Sequence, residues 1–166
     1  MLINMRIEKL DNTYFQEVFS LYKEIENNLE NPLWLSPCKQ EWLQSMLSAE
    51  NRKALYGMFS DNNEIMAIQG MSPTIKKIIE LLTLNEQETI EIGSAVVLPK
   101  FRGNSLTFKL ASELIKKARL IGYTYVVSKA HPDNIVSNKI LLDLGMQLKT
   151  TITTQENVRN VYLLIL

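Results

Sequence analysis

The second half of the chain alternates between strand-like and helix-like stretches, and this alternation most constrains the fold. An apolar, β-branched run at 88–98 precedes a basic loop at 100–104 and then a stretch whose apolar residues recur at helical spacing. Another apolar run, 123–129, precedes a second helical stretch at 135–144. Because helices that alternate with strands cover the faces of the sheet, we expect helices on both sides of it.

Hairpin signals in the first half and at the end of the chain add antiparallel strands. Apolar runs flank short polar turns at two places in the sequence. We therefore predict hairpins in which 53–60 pairs with 64–71 and 147–154 pairs with 158–165. The predicted fold class is α/β (α+β), with a mixed, mostly antiparallel central sheet of about seven strands and helices on both faces. Since no repeat or linker interrupts the pattern, we predict one domain over 1–166.

The segment after the first hairpin carries a helix signal of its own. Ser72 and Pro73 are typical of a helix start, because serine caps well and proline suits the first turn. Apolar residues at helical spacing then predict a helix over 74–84. The other predicted elements are a strand at 2–9, a helix capped by Asp11 or Asn12, and a helix at about 39–47.

Composition narrows the class of protein. Lys and Arg number 18, as do Asp and Glu, so the cationic surplus of a general phosphate-backbone binder is missing and we expect no nucleic-acid partner. Cys38 is the only cysteine, which agrees with a reducing compartment. The sequence shows neither a signal-peptide pattern nor an apolar run long enough to span a membrane. We therefore expect a soluble, cytoplasmic protein without a membrane partner.

Several common catalytic motifs are missing from the sequence. It contains no GxxxxGK[ST], GxSxG, HExxH or CxxC pattern. His131 is the only histidine, and a structural role before Pro132 is the more ordinary interpretation. We predict no metal site.

The loop at 100–107 joins a strand to a helix and resembles an anion site. The N–H groups at a helix N-terminus are unpaired and lie at the positive end of the helix dipole. Gly103, Asn104 and Ser105 are small enough to let a phosphate approach, and Arg102 adds a cation. A solvated turn with a surface arginine is the alternative interpretation.

Two motifs together resemble the GCN5-related N-acetyltransferase (GNAT) family. The first, VVLPKFRGNSLTFKLASELIKKA, is similar to the family's V-x-P-x-x-R-G-x-G-x-[GA] followed by a long helix. The second, HPDNIVSNKILLDLGM, is similar to its N-x-x-[AS]-x-x-x-[YL]-x-x-x-G-[FM]. The helix and strand between the two motifs also match, so the pair is more specific than either motif alone.

The resemblance implies an acetyl-CoA-dependent N-acetyltransferase, with acetyl-CoA as acyl donor and a small-molecule or peptide amine as acceptor. Loop amides would hold the pyrophosphate, the end of the strand would pair with the pantetheine arm, and the last helix would line the same cleft. The residues so implied are Arg102, Gly103, Asn104, Ser105, Leu106 and Thr107 in the loop, Ala95, Val96 and Val97 in the strand, and Asn134, Ser137 and Leu141 in the last helix.

Three positions depart from the family pattern. Ser105 stands where glycine is usual, and Thr107 where glycine or alanine is usual. Leu141 stands where many members have a tyrosine that protonates the departing thiolate, and leucine carries no proton to donate. Four substitutes stay open for this acid, namely Ser137, Tyr123, Tyr125 and water.

Glu91 is the candidate general base. It precedes Val97 in the strand, where some family members carry a catalytic glutamate, and a carboxylate there can take a proton from an acceptor amine. A solvated surface glutamate is the alternative, and Glu86 and Glu88 compete with it. Because no nucleophile–base pair is evident, we expect the amine to attack the thioester directly rather than through Cys38.

The acceptor is not identified by sequence. The helix after Ser72 is expected near the acceptor end of the cleft, and the loop 27–37, with Trp34, is expected to form the other wall. Glu26 and Glu30 there would suit a cationic acceptor. Alternatives for the whole chain are a non-catalytic acyl-CoA-binding or interaction module on the same fold and an unrelated α/β binding protein. A homodimer is left open.

Overall fold

The computed structural model describes residues 5–154 and 157–166. The strands are β1 (Arg6–Leu10), β2 (Ala54–Phe59), β3 (Ile65–Ser72), β4 (Thr89–Val97), β5 (Tyr125–Ala130), β6 (Gln147–Thr154) and β7 (Asn157–Ile165). The α-helices are α1 (Phe15–Asn27), α2 (Gln40–Leu47), α3 (Lys76–Leu82), α4 (Leu106–Ile121) and α5 (Ile135–Asp143).

These strands form one sheet with the order β1-β2-β3-β4-β5-β7-β6. β4 and β5 pair in parallel, whereas the other neighbours pair antiparallel. The predicted fold class, a mixed and mostly antiparallel sheet of seven strands, is therefore confirmed. The parallel pair follows from the crossover through α4, because a helix between two strands brings the chain back to start the second strand at the same end.

Helices cover both faces of the sheet, as predicted. On one face, the apolar stripe of α4 packs with Leu141 of α5 onto β3, β4 and β5. On the other face, α1 and α2 pack onto the first strands, and α3 inserts Ile78 over β5 and β7. Burial of these apolar stripes is the main stabilising term for the fold.

The predicted helix start at Ser72 and Pro73 is wrong. Ser72 is the last residue of β3, and α3 begins at Lys76 after Ile75, whose side chain provides no cap. The pairing of Ser72 with Glu91 in β4 keeps it extended, so sheet pairing outweighs the local capping preference. Two predicted features lie partly outside the described residues, namely the start of the strand at 2–9 and the turn at 155–157.

β4 contains a bulge that prepares the site. Ile68 pairs with Val96 and Gly70 with Gly93, so Gln69 faces two residues of β4, Ser94 and Ala95. Ser94 adopts a left-handed backbone with φ 54°. The bulge bends β4 and reverses which of its side chains face α4.

Within residues 5–154 and 157–166, no helix combines the length and the apolar character needed to cross a membrane.

Candidate functional site

A gap between β4 and β5 forms the centre of the site. The two strands pair in parallel only from Thr89 to Glu91 on β4, and the Ser128 hydroxyl donates to the Ile92 carbonyl at 2.6 Å where the pairing ends. Beyond that point β4 stays with β3 while β5 stays with β7. The buried Tyr22 hydroxyl donates to the Ser94 carbonyl at 2.7 Å and holds the bulge in place. The gap therefore exposes one edge of β4.

A cleft of about 760 Å³ runs along this edge. Ten of the twelve residues predicted for the cofactor line it: Ala95, Val96, Val97, Arg102, Gly103, Ser105, Leu106, Thr107, Asn134 and Ser137. Leu141 lines a smaller hollow beneath the cleft, which we call the inner hollow. The side chain of Asn104 instead donates to the Phe101 carbonyl at 3.0 Å and so shapes the loop.

The start of α4 presents the backbone donors of the cleft. Pro99–Phe101 forms a short 3-10 turn, and the N–H of Arg102 donates to the Pro99 carbonyl at 3.2 Å. The Arg102 amide is therefore already paired within the chain, while its side chain lines the cleft; its predicted contact with a phosphate stays a prediction. The donors that the helix start offers come after it, from Gly103 to Thr107. Gly103 has φ +81°, and no atom lies within 4 Å of the place where a Cβ would stand.

Ser105 departs from glycine at a position where glycine is favoured. It caps α4 with φ 57° and ψ 28°, which is the left-handed region, and its side chain makes no capping hydrogen bond. A side chain in this region costs about 1–2 kcal/mol. The geometry supplies a physical reason for the glycine that the family motif carries here.

The start of α5 forms the opposite wall of the cleft. Asn134 caps the helix by accepting from the Ser137 N–H at 3.1 Å. Asn138, which the sequence reasoning missed, anchors this helix to β7, because its Oδ1 accepts from the Tyr162 hydroxyl at 2.6 Å and from Asn160 at 3.0 Å. The anchor fixes Asn134 at the edge of the gap.

Glu91 lies on the other face of the sheet, in a hollow of about 330 Å³ that we call the acceptor hollow. The Thr74 hydroxyl donates to its Oε2 at 2.6 Å, and the Lys129 Nζ lies 3.1 Å from its Oε1. The side chain of Glu91 is 14% exposed and that of Lys129 is 23% exposed. Glu91 is therefore an oriented, charge-paired carboxylate and not the solvated surface glutamate of the alternative interpretation; its role as general base stays a prediction.

The competing acids and bases lie elsewhere. Glu86 and Glu88 are exposed in a 3-10 turn before β4, and none of the three cavities at the gap is lined by either. Tyr123 packs at the far end of the α4 face, and Tyr125 packs against the α3 cluster. Of the side chains proposed as the acid, Ser137 is the one that lines both the cleft and the inner hollow.

A loop strap, residues 28–35, crosses the gap. The Trp34 indole N–H donates to Asp133 Oδ1 at 2.7 Å, and the Asn31 amide donates to its Oδ2 at 3.1 Å. Donation by Trp34, aided by the His131 and Asn31 contacts, lowers the pKa of Asp133. The His131 ring contacts Asp133 Oδ1, which is a structural contact. Trp34 lines both the cleft and the inner hollow, so the prediction that this loop forms a wall is confirmed.

A sequence profile of the Acetyltransferase (GNAT) family matches residues 14–146. The chain belongs to this family. The GNAT resemblance of the two motifs is thereby confirmed. No curated protein sequence matches the chain at a significant level.

Solved structures show the same GNAT fold at low sequence identity. An N-acetyltransferase from Staphylococcus aureus is 16% identical with a TM-score of 0.76, and the match covers 98% of each chain. NAA60 from Arabidopsis thaliana, in complex with acetyl-CoA, is 10% identical with a TM-score of 0.77 and 98% coverage of each chain. yncA from Salmonella typhimurium, with its cofactor acetyl-CoA, is 16% identical with a TM-score of 0.72, covering 97% of this chain and 93% of that one.

Two ionisable groups of this GNAT domain are withdrawn from the site. Cys38 is 3% exposed, and burial together with the nearby Glu26 raises the pKa of its thiol to about 11. Glu26 in turn lies 2.8 Å from the Lys23 ammonium and accepts from the Cys38 N–H. Glu26 is therefore an internal partner and not the acceptor contact that the sequence suggested. Among the described residues, no three His, Cys, Asp or Glu side chains are grouped so that they could hold a metal ion.

Proposed function

We propose that the protein is an acetyl-CoA-dependent N-acetyltransferase that acetylates a primary amine. One observation carries the proposal: the start of α4, the free edge of β4 and Asn134 of α5 all line one cleft. The inner hollow at the bulge shares lining residues with this cleft and with the acceptor hollow, where Glu91 stands. Anion donors at one end and an extended strand edge along the side suit a long ligand with a diphosphate.

The residues present fit the cofactor. The space beside Gly103 leaves room for a phosphate close to the backbone, and the Arg102 guanidinium stands at the same rim. Ala95–Val97 would pair with an amide-containing arm, and Asn134 would contact that arm from the other side. When bound, acetyl-CoA supplies the acyl thioester.

The acceptor amine would enter from the acceptor hollow and attack directly. Glu91 stands there with Lys129, and each carboxylate oxygen keeps a lone pair beyond the hydrogen bond or ion pair it already makes. Glu91 can therefore take a proton from the amine, directly or through water.

A protonated, buried Cys38 is a poor nucleophile, which argues against an acyl-enzyme. Ser137 or water would protonate the leaving thiolate. The compartment and a homodimer stay predictions.

The proposal is tested at Gly103 by binding. Wild type titrated with acetyl-CoA should release or absorb heat, and ligand at a hundredfold excess over Kd should raise Tm by about 5–10 °C. Gly103→Glu should abolish both signals, because it places charge and bulk against the pyrophosphate. Gly145→Glu is the matched control, since Gly145 has φ +82°, equally open space and a position that lines none of the three cavities at the gap.

A turnover assay separates an enzyme from a non-catalytic module. Release of free CoA thiol is followed with a panel of small amines and peptide N-termini. An enzyme releases thiol with at least one amine. Binding without release from any amine would favour the non-catalytic module, for which Leu141 in place of a tyrosine is the structural argument, and absence of binding would contradict both.

A further inference from the structure

Gln69 is a polar residue in the middle of the buried strand β3. It is 4% exposed, and residues 65–71 around it are all buried. Its Oε1 is fully enclosed, and no hydrogen-bond partner for it stands among residues 5–154 and 157–166. Buried side-chain amides are nearly always hydrogen-bonded, so an unpartnered one points to a group that the protein chain does not supply.

The position of Gln69 places this amide at the bulge. Gln69 is the β3 residue that faces Ser94 and Ala95 together. Its side chain lines the inner hollow of about 100 Å³, along with Ala111 of α4 and Leu141 of α5. By volume this hollow suits a group of only a few heavy atoms.

The inner hollow connects the other two cavities. It shares Ala95, Thr107 and Asn134 with the cleft, and it shares Ser94 and Lys129 with the acceptor hollow. If the cleft holds the cofactor and the acceptor hollow holds the amine, the acyl group must lie between them. The inference that follows therefore rests on the proposed function.

Three other polar side chains of the inner hollow already have partners. The Ser128 hydroxyl donates to the Ile92 carbonyl, Lys129 pairs with Glu91, and Asn134 accepts from the Ser137 N–H. Among the described residues, Gln69 differs from these three in that its side-chain oxygen is enclosed and has no partner. A half-turn about its terminal torsion exchanges oxygen and NH₂ at the same positions, so it can donate as readily as accept.

We propose that Gln69 is an acyl-recognition residue, which donates an N–H to the carbonyl oxygen of the acyl thioester. The hydrogen bond selects the acylated donor over free CoA and orients its carbonyl toward the acceptor hollow. It also strengthens as negative charge develops on that oxygen during attack.

Binding measurements test this without an acceptor. Acetyl-CoA is compared by calorimetry with the S-ethyl thioether of CoA, which has CH₂ in place of the carbonyl, and with free CoA. Wild type should bind acetyl-CoA about 5- to 10-fold more tightly than the thioether, the size expected for one buried hydrogen bond. Gln69→Met should bind the two equally and keep its affinity for free CoA. Gln16→Met, on the exposed face of α1, should behave as wild type.

A second measurement, on a different variant, applies if Gln69→Met does not fold. With ¹³C-labelled acetyl-CoA, the infrared carbonyl stretch should move to lower frequency on binding to wild type and less so on binding to Gln69→Leu. If wild type binds acetyl-CoA and the thioether equally, or if the Gln69 variant still prefers acetyl-CoA, the role of Gln69 is overturned while the proposed function stands. If wild type binds no form of CoA, the proposed function fails as well.

Discussion

At the scale of single residues, Glu91 shows how a side chain is prepared for chemistry. β4 places it at the mouth of the gap, and Thr74 and Lys129 each hold one of its oxygens. Thr74 was expected inside a helix, but it lies in the extended stretch before α3, where its hydroxyl reaches the strand. These two contacts fix the orientation of the Glu91 carboxylate, and the Lys129 ammonium balances its charge.

Replacement of Glu91 tests its role as base. Glu91→Gln should lower turnover about 100-fold near pH 7, the scale of general-base catalysis, and less at high pH, where the acceptor amine is already neutral. The measurement is a pH profile of thiol release. Cys38→Ala is the control and should leave turnover nearly unchanged. A flat ratio of Glu91→Gln to wild type across pH would return Glu91 to a structural role, and labelled acyl on Cys38 would contradict direct attack.

At the scale of elements, the start of α4 combines a donor array with backbone strain. The chain leaves β4, makes the 3-10 turn Pro99–Phe101, and enters the helix through Gly103 and Ser105, both at positive φ. This sharp path turns successive N–H groups toward the cleft. Gly103 adopts the required positive φ without strain, whereas Ser105 adopts it at a cost in conformational free energy.

We expect Ser105→Gly to stabilise the fold. Relief of about 1–2 kcal/mol at a left-handed residue is offset by about 0.4–1 kcal/mol of added freedom in the unfolded chain. The net gain of about 0.5–1 kcal/mol should raise Tm by about 2 °C. Ser112→Gly, inside the same helix, is the matched control and should lower stability. A decrease for Ser105→Gly measured by urea unfolding would contradict the strain argument.

At the scale of the whole molecule, two halves of the sheet meet at a short seam. Within residues 5–154 and 157–166, the backbones of β4 and β5 pair at three positions, beginning at Thr89 and Tyr125. The loop strap adds a second connection, because Trp34 and Asn31 from the first half hold Asp133 of the second. Asn157 adds a further bond to this strap by donating to the Leu33 carbonyl at 2.7 Å. The strap therefore ties the two sides of the gap together.

Asp133→Ala should release the strap. In a Trp42→Phe background, acrylamide should quench Trp34 more strongly, and acetyl-CoA affinity should fall about 3- to 10-fold, as expected for the loss of one or two hydrogen bonds. Asp61→Ala, in the exposed turn between β2 and β3, is the control. Unchanged quenching would show that the strap does not depend on Asp133.

The pH dependence of the strap follows from the lowered pKa of Asp133. Its folded pKa lies below the unfolded value of 3.8, so its contribution is fully present above that value and is lost as pH falls through the folded pKa. Quenching of Trp34 should therefore stay constant from about pH 5 to 8 as far as Asp133 is concerned, and rise only below the unfolded value. A rise near neutral pH would assign control of the strap to another group.

The sequence by itself determined the order of elements, the two faces of helices and the loop at the start of α4. These depend on local periodicity, on capping and on glycine, all of which are read along the chain. It also marks Gln69 as unusual, because a glutamine stands there in a run of otherwise apolar residues that form a buried strand.

Only the tertiary structure decided the end of β3, the partners of Glu91 and the meeting of three cavities at the bulge. Thr74, Glu91 and Lys129 are far apart in sequence. They meet because the chain after β3 passes beside β4 and because β5 separates from β4 just beyond Glu91. Ser72 stays in a strand because its pairing with Glu91 outweighs a local helix preference. Propensity acts over neighbouring residues, whereas the site depends on strand register and on where two strands part, which no local pattern encodes.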